Sequence, residues 1–299
     1  NLAIDNVLEI DELALGKVQR VAKATLFAGG KGINVARATG CLRKDAEVVG
    51  FLAGEAGNVL RQLASSDGIQ LHATRCEGQT RLTTIIVERS SGLMTVLNEP
   101  GPHIDKSQWE SFCRSILLRL QHHKFMVCTG SLPASVPTDA FVSLIVEARC
   151  KGVKVALDAN AEVLGNSLGA HPDIVKVNLA EAESVTGVGS GDRVPRALKA
   201  AKDLSSATQG LSIVTVGSLG ASVSGDDMEP EFIHAPKVHE FNSLGAGDSL
   251  LAGLMYALAD DRHVMEAVRY ATAVAAASVE TLKPGDVDPA RVRDLVSQA

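Results

Sequence analysis

At 299 residues, with 45% hydrophobic and 21% charged positions, the chain can bury a large core and is too apolar to be disordered. A formal charge of −6, no dense Lys/Arg cluster and only 3% aromatics exclude the basic face and stacking platforms of a nucleic-acid binder. No apolar run reaches the ~18 residues of a membrane span, and no charged-then-apolar leader opens the chain. The five cysteines (Cys41, Cys76, Cys113, Cys128, Cys150) are odd in number and lack C-x-x-C spacing, so they read as free thiols of a cytoplasmic protein.

Residues 1 to 25 alternate apolar and polar, with charges too frequent for a core strand. An α/β domain usually opens on a buried strand, so a few native residues, the initiator Met included, are expected to precede residue 1. "EVVGFLAG" (47–54) reads as a short strand before helical "NVLRQLASS". Residues 80–98 read as two strands around the turn "RSSG". Together with 1–25 they suit a small β lid, set off from a core of residues 26–79 and 99–299. Next come amphipathic "QWESFCRSILLRLQ", strand "KFMVCTG", helical "DAFVSLIVEARCKG", strands "VKVALDA" and "DIVKVN", helical "LAEAESVTG" and strand "LSIVTVG". Apolar "SLLAGLMYALA" is a helix by length and Leu/Ala content, and the tail closes on a short helix. Short buried strands separated by helices predict a three-layer α/β fold, a mainly parallel sheet covered on both faces.

Several glycine patterns fail as familiar motifs. "FAGGKGINVAR" (27–37) has Gly32 where a P-loop needs Ser or Thr after Lys31, and "GAGDSL" has Leu250 where a dinucleotide fingerprint needs its third Gly. Gly165-Asn166-Ser167-Leu168-Gly169 matches G-x-S-x-G, with Asp226 and His234 downstream. The strand, however, ends near Asp158, too early for a nucleophile elbow, so the stretch reads as a loop. At Asp248, Gly245 and Gly247 permit an anion-binding nest of N–H groups, and the following helix start adds positive potential. The plain alternative is that Asp248 is a helix cap; Ser243 and Ser249 nearby could also cap, and capping needs no such glycine excess. Gly29, Gly30 and Gly32 before Asn34 and Arg37 suit either a ligand loop or a tight turn.

Taken together, "GGKGINVARA" and "NSLGAGDS" resemble the paired signatures of the PfkB carbohydrate kinases, of ribokinase-like fold. "TGSLPASVP" (129–137), "KVNLAEAE" (176–183) and "VTVGSLGA" (214–221) lie between them in the family's order, so the resemblance spans nearly the whole chain. "GGKGINVAR", "TGSLP" and Asn242 are similar to the sugar-phosphate branch: 1-phosphofructokinase, tagatose-6-phosphate kinase and the minor 6-phosphofructokinase. The resemblance implies an ATP- and Mg²⁺-dependent kinase for a ketohexose phosphate. Fructose 1-phosphate leads, with tagatose 6-phosphate and fructose 6-phosphate as alternatives, and a non-catalytic sugar- or nucleotide-binding module as the distant one.

By the same resemblance Asp248 is the base, kept ionised by the helix start, and Gly245, Ala246 and Gly247 form the anion hole. Asp5, Gly29, Gly30, Asn34 and Ser131 match sugar contacts, although Leu2 departs from the family's usual Asn-Pro-Ala. Arg81 matches the residue holding the sugar's phosphate, and Lys17 a second phosphate ligand reaching across a homodimer made by paired lids. Alone, Arg81 and Lys17 would read as ordinary exposed charges. Lys176, Asn178, Thr215, Gly217 and Gly220 match the ATP side, Glu181 an indirect Mg²⁺ partner, and the helix at 271–282 the wall beside adenine.

Overall fold

The structure, a computed structural model, describes residues 1–226 and 228–297. Strands β1 (Ala3–Ile10) and β2 (Lys23–Gly29) lead into helix α1 (Lys31–Cys41). β3 (Glu47–Ala53), α2 (Gly54–Ser66) and β4 (Gln70–Cys76) form a parallel βαβ unit. The hairpin of β5 (Arg81–Glu88) and β6 (Met94–Asn98) precedes α3 (Lys106–Arg119). Strands and helices then alternate: β7 (Phe125–Thr129), α4 (Phe141–Cys150), β8 (Lys154–Asp158), α5 (Ala161–Ser167), β9 (Ile174–Asn178), α6 (Leu179–Thr186), α7 (Arg193–Thr208) and β10 (Leu211–Thr215). After β11 (Gly220–Ser224) and β12 (Glu231–His234) the chain closes on α8 (Ala246–Ala259), α9 (Val264–Ser278) and α10 (Pro289–Val296).

The main sheet has six strands in the order β12-β11-β10-β9-β8-β7, parallel from β7 to β10 and antiparallel at its other end. Alternate residues divide its two faces. Val155, Leu157, Val175, Val177 and Val214 join the core under α4 to α7, while Ala156, Ile174 and Ile213 join the core under α1, α8, α9 and α10. Burial on both faces explains why these strands read as unbroken apolar runs. Each fully buried Leu or Ile contributes roughly 1.5–3 kcal/mol. An exposed ion pair such as Lys199–Asp203 contributes about 0–1 kcal/mol, so the apolar layers and not the surface charges hold the fold.

α8 buries Leu250, Leu251, Ala252, Gly253 and Leu254 in succession. A helix without a polar face belongs inside the protein. It crosses close to α9, because a Cβ on Gly253 would stand only 2.9 Å from Val274. The helix predicted at 271–282 is the second half of α9, which begins earlier, at Val264, and ends at Ser278.

A second sheet, in the order β2-β1-β5-β6, unites segments 1–25 and 80–98, which sequence had set apart from the main rhythm. Two expectations change here. β1 is no peripheral strand: it lies between β2 and β5 with Ala3, Ile4, Asp5, Val7 and Ile10 buried. Its frequent charge sits at the far end, where Glu9 pairs with Lys23 and Arg89. The expected boundary at residue 25 falls inside β2, which runs on to Gly29. The G-x-S-x-G stretch is not a loop either. Gly165 to Ser167 close α5 and a 3₁₀ turn follows up to left-handed His171, so no strand delivers Ser167 to an elbow. α5, α7, β4, β11 and β12 were not visible in the sequence. The five cysteines are free, and no described helix is long and apolar enough to cross a membrane.

Candidate active site

Ligand sites of open α/β sheets lie beyond the carboxyl ends of the strands. β8 ends there with Asp158, and beside it on β9, two residues before that strand's end, stands Lys176; both are one step beyond the paired residues Leu157 and Val175. Asp158 is fully buried, and its two oxygens accept from Lys31 Nζ at 2.9 Å and Lys176 Nζ at 2.8 Å. Burial opposes the charge of Asp158, but Lys176 and Lys31 hold its carboxyl below the usual carboxylate range. Burial likewise opposes the Lys31 ammonium, yet Asp158 keeps it above its ordinary value. A buried carboxylate is tolerable only when paired in this way.

Above this cluster the chain turns into α8. Gly245, with φ 79° in the left-handed region, is the N-cap, and no side chain caps the helix. Asp248 is therefore not a cap, and neither neighbouring serine takes that role. Ser249 Oγ is buried without a partner, and Ser243 contributes only its carbonyl, to Ala246 N. Asp248 sits in the first turn, 5% exposed, and accepts from Asn34 Nδ2 at 2.9 Å. A Cβ on Gly247 would lie 2.8 Å from Lys176 Nζ, so the glycine is what lets this ammonium approach the start of α8. The helix end was expected to keep Asp248 readily ionised. Instead burial, then the charge of Asp158, raise its pKa to about 6, against Lys176, Asn34 and Lys31. The helix dipole contributes ~1 kcal/mol, less than removing a carboxylate from water costs.

The small sheet supplies the opposite wall. Across it Phe27, Asp5, Thr83 and Asn98 stand in register, and strand alternation turns Asp5, Arg81, Thr83 and Asn98 toward one cavity. Asp5 is 4% exposed, and burial raises its pKa to about 7 against the attraction of Arg37 and Arg81. Arg81 Nη2 donates to the Asn1 carbonyl at 3.3 Å, while Nε has no partner among the described residues. A guanidinium with unspent donors in a cavity wall is suited to a multidentate anion.

The cavity between these walls measures about 1120 Å³, room for a nucleotide and a small sugar together. Of the residues chosen from sequence, Asp5, Gly30, Asn34, Arg81, Ser131, Lys176, Asn178, Glu181, Thr215, Gly217, Gly220, Gly245, Ala246, Gly247 and Asp248 line it. Two do not. Lys17 is exposed in the loop between β1 and β2, and within one chain it does not reach the cavity. Gly29 lies behind the wall, where its missing Cβ makes room for the Asp5 carboxylate. Asn178 and Glu181 carry a further duty, a reciprocal capping box at the start of α6 with both bonds at 2.9 Å. Thr272, Ala275, Ala276 and Val279, from the 271–282 stretch, add a smooth apolar wall.

Sequence reasoning passed over Lys31, Asp158, Thr83 and Asn98. In sequence Lys31 reads only as the lysine of a failed P-loop, whereas Asp158 closes an apolar strand with a charge, a signal of a buried functional carboxylate.

Residues 1–291 match the model of the pfkB family carbohydrate kinases. The chain belongs to this family. It is 31% identical to the 1-phosphofructokinase of Xanthomonas campestris over 98% of the chain and 93% of that protein. With the 1-phosphofructokinase of Rhodobacter capsulatus it shares 30% over 99% and 93%. The fold superposes on phosphofructokinase-2 from Escherichia coli in complex with substrates and products with a TM-score of 0.89, at 22% identity, covering 99% and 96% of the two chains. Ribokinase from Thermotoga maritima gives 0.76 at 20% identity over 99% and 97%. This pfkB-family protein has the ribokinase-like three-layer architecture and is a carbohydrate kinase, a phosphotransferase acting on an alcohol group.

Proposed function

We propose that this pfkB-family kinase is a 1-phosphofructokinase, transferring the γ-phosphoryl group of ATP to a hydroxyl of fructose 1-phosphate. The observation that carries the reading is a buried carboxylate, Asp248, between the Gly245–Gly247 turn and the Asp5–Arg81 wall of one cavity. The relatives' names favour fructose 1-phosphate over tagatose 6-phosphate and fructose 6-phosphate.

In this reading the sugar phosphate lies against the small sheet, its hydroxyls accepted by Asp5 and its phosphate held by Arg81. Gly30, Asn34 and Ser131 complete that side. ATP lies along the main sheet, beside Lys176, Asn178, Thr215, Gly217 and Gly220 and against the apolar wall of α9. Asp248 takes the proton of the acceptor hydroxyl as its oxygen attacks the γ-phosphorus. The bond to the bridging oxygen breaks and ADP leaves with that electron pair. The N–H groups at the start of α8 and the Lys176 and Lys31 ammoniums offset the charge on the transferring group.

Among the described residues no three metal-ligating side chains converge. Mg²⁺ arriving on ATP needs only one or two carboxylates besides phosphate and water. Glu181, whose Oε2 accepts from Asn178 N, lines the cavity and would hold the ion through water, where Mg²⁺ neutralises phosphate charge. The outer face of the small sheet, with Leu26 45% and Leu97 56% exposed, supports a homodimer through paired lids, into which Lys17 would reach.

The deciding experiment is ADP release across phosphorylated and free ketohexoses. Fructose 1-phosphate should give the highest kcat/KM; a better unphosphorylated sugar would overturn the reading.

A further inference from the structure

Arg37 does not line this cavity, yet it makes more hydrogen bonds than any other side chain near the site. It is 5% exposed on α1, and all its donors are engaged within the protein. Nε and Nη2 donate to Asp67 Oδ2 at 3.1 and 2.8 Å, Nη2 also to the Ala28 carbonyl, and Nη1 to the Pro284 carbonyl at 2.6 Å. Nη1 also donates to Asn34 Oδ1 at 3.1 Å.

This last bond has a consequence. A guanidinium has no acceptor, so the amide atom of Asn34 facing it must be the oxygen. The NH₂ group then points the other way, at Asp248 Oδ2, 2.9 Å off. Arg37 also seizes the Pro284 carbonyl, and Pro284 and Gly285 pack against Gly245, where an added Cβ would meet Pro284 at 3.0 Å. Lys283, next in line, pairs with the same Asp67.

We propose that Arg37 is a positioning residue for phosphoryl transfer: through Asn34 it orients the Asp248 carboxylate, and through Pro284 it seats the Gly245 turn. The inference rests on the reading of Asp248 as the base. Arg37 and Asp67 touch no substrate in it. Their pairing offsets the charge of a buried guanidinium whose rigid fork serves several acceptors at once, which a lysine cannot do.

The test compares wild type, Arg37→Lys, Arg37→Met, Asn34→Ala and the Arg37→Met/Asn34→Ala double variant, with melting curves to establish folding. Asp248 is faced by Asp158 on β8, Lys176 on β9 and Lys31 and Asn34 on α1, with Asp5 on β1 across the cavity, and the Asn34 bond favours its ionised form. Losing that bond moves the acid limb of kcat to higher pH. Asn34→Ala and both Arg37 variants should show this displacement, with kcat at neutral pH down roughly tenfold or more. KM for ATP should stay near wild type. Because Arg37 acts through Asn34, replacing it in the Asn34→Ala background should lower kcat far less than in the wild type.

Wild-type kcat and acid limb in Arg37→Lys, an unmoved limb in Asn34→Ala, or fully multiplicative losses in the double variant would each overturn the proposal. If Arg37→Met does not fold, Arg37→Lys and Asn34→Ala still decide. A wild type with no acid limb and an active Asp248→Asn would instead sink the base assignment, a separate outcome.

Discussion

Asp248 joins two opposed demands. As the proposed base beside phosphates it must be ionised, yet burial and Asp158 raise its pKa to about 6. Its folded-state pKa thus lies above the ordinary value, so the native state holds the proton more tightly than the unfolded chain. That protonated-state advantage is present below the unfolded pKa and lost as pH rises through about 6, leaving a destabilising charge at neutral pH. Asp248→Asn should therefore lose ~10³-fold or more in kcat at pH 7.5 while raising stability by on the order of 2 kcal/mol, read by stopped-time ADP release and by thermal melting. In the wild type kcat should fall as pH drops through about 6. Gly247→Ala would press a methyl on Lys176 Nζ, which Asp158 prevents from swinging freely. A loss of roughly tenfold or more in kcat with unchanged far-UV circular dichroism is expected.

At the level of elements, the start of α6 shows one motif with two duties. Asn178 and Glu181 close a capping box, which by itself accounts for their spacing. Glu181→Gln keeps an acceptor for Asn178 N but removes the charge. Its melting temperature should stay within about 1 °C of wild type while the Mg²⁺ concentration giving half-maximal rate rises several-fold. An unchanged Mg²⁺ dependence would leave Glu181 as a cap alone. α8 divides its labour along its length: Gly245 to Asp248 build the site, and Leu250 to Leu254 anchor it in the core. A movable helix could not hold a base to the fraction of an ångström that proton transfer demands.

Over the whole molecule, the site exists only where two sheets meet, one giving Lys176, Asn178 and Thr215 above the buried Asp158 and the other Asp5, Arg81, Thr83 and Asn98. Strand alternation that turns the second set inward turns Leu26 and Leu97 out, on the same small sheet. Introducing charge there, with Leu26→Glu and Leu97→Glu together, should convert the proposed dimer to a monomer by light scattering and raise KM for the sugar phosphate. A wild type that is already monomeric would remove Lys17 from the site.

The sequence by itself determined the alternating three-layer plan, because strands buried on both faces leave apolar runs that nothing on the surface imitates. It also marked the glycine turns, since only backbone freedom explains glycines packed around Asn34 and Asp248. Helices such as α7 were missed because their Ala-rich stripe is weak until a sheet lies under it. Only the tertiary structure decided that β1 is central, that Asp158 binds two lysines, and that Asn34 faces Asp248 across 214 positions of chain. Those facts depend on which strand ends become neighbours. Pairing distant segments is settled by burial of the whole core, and no local pattern records it.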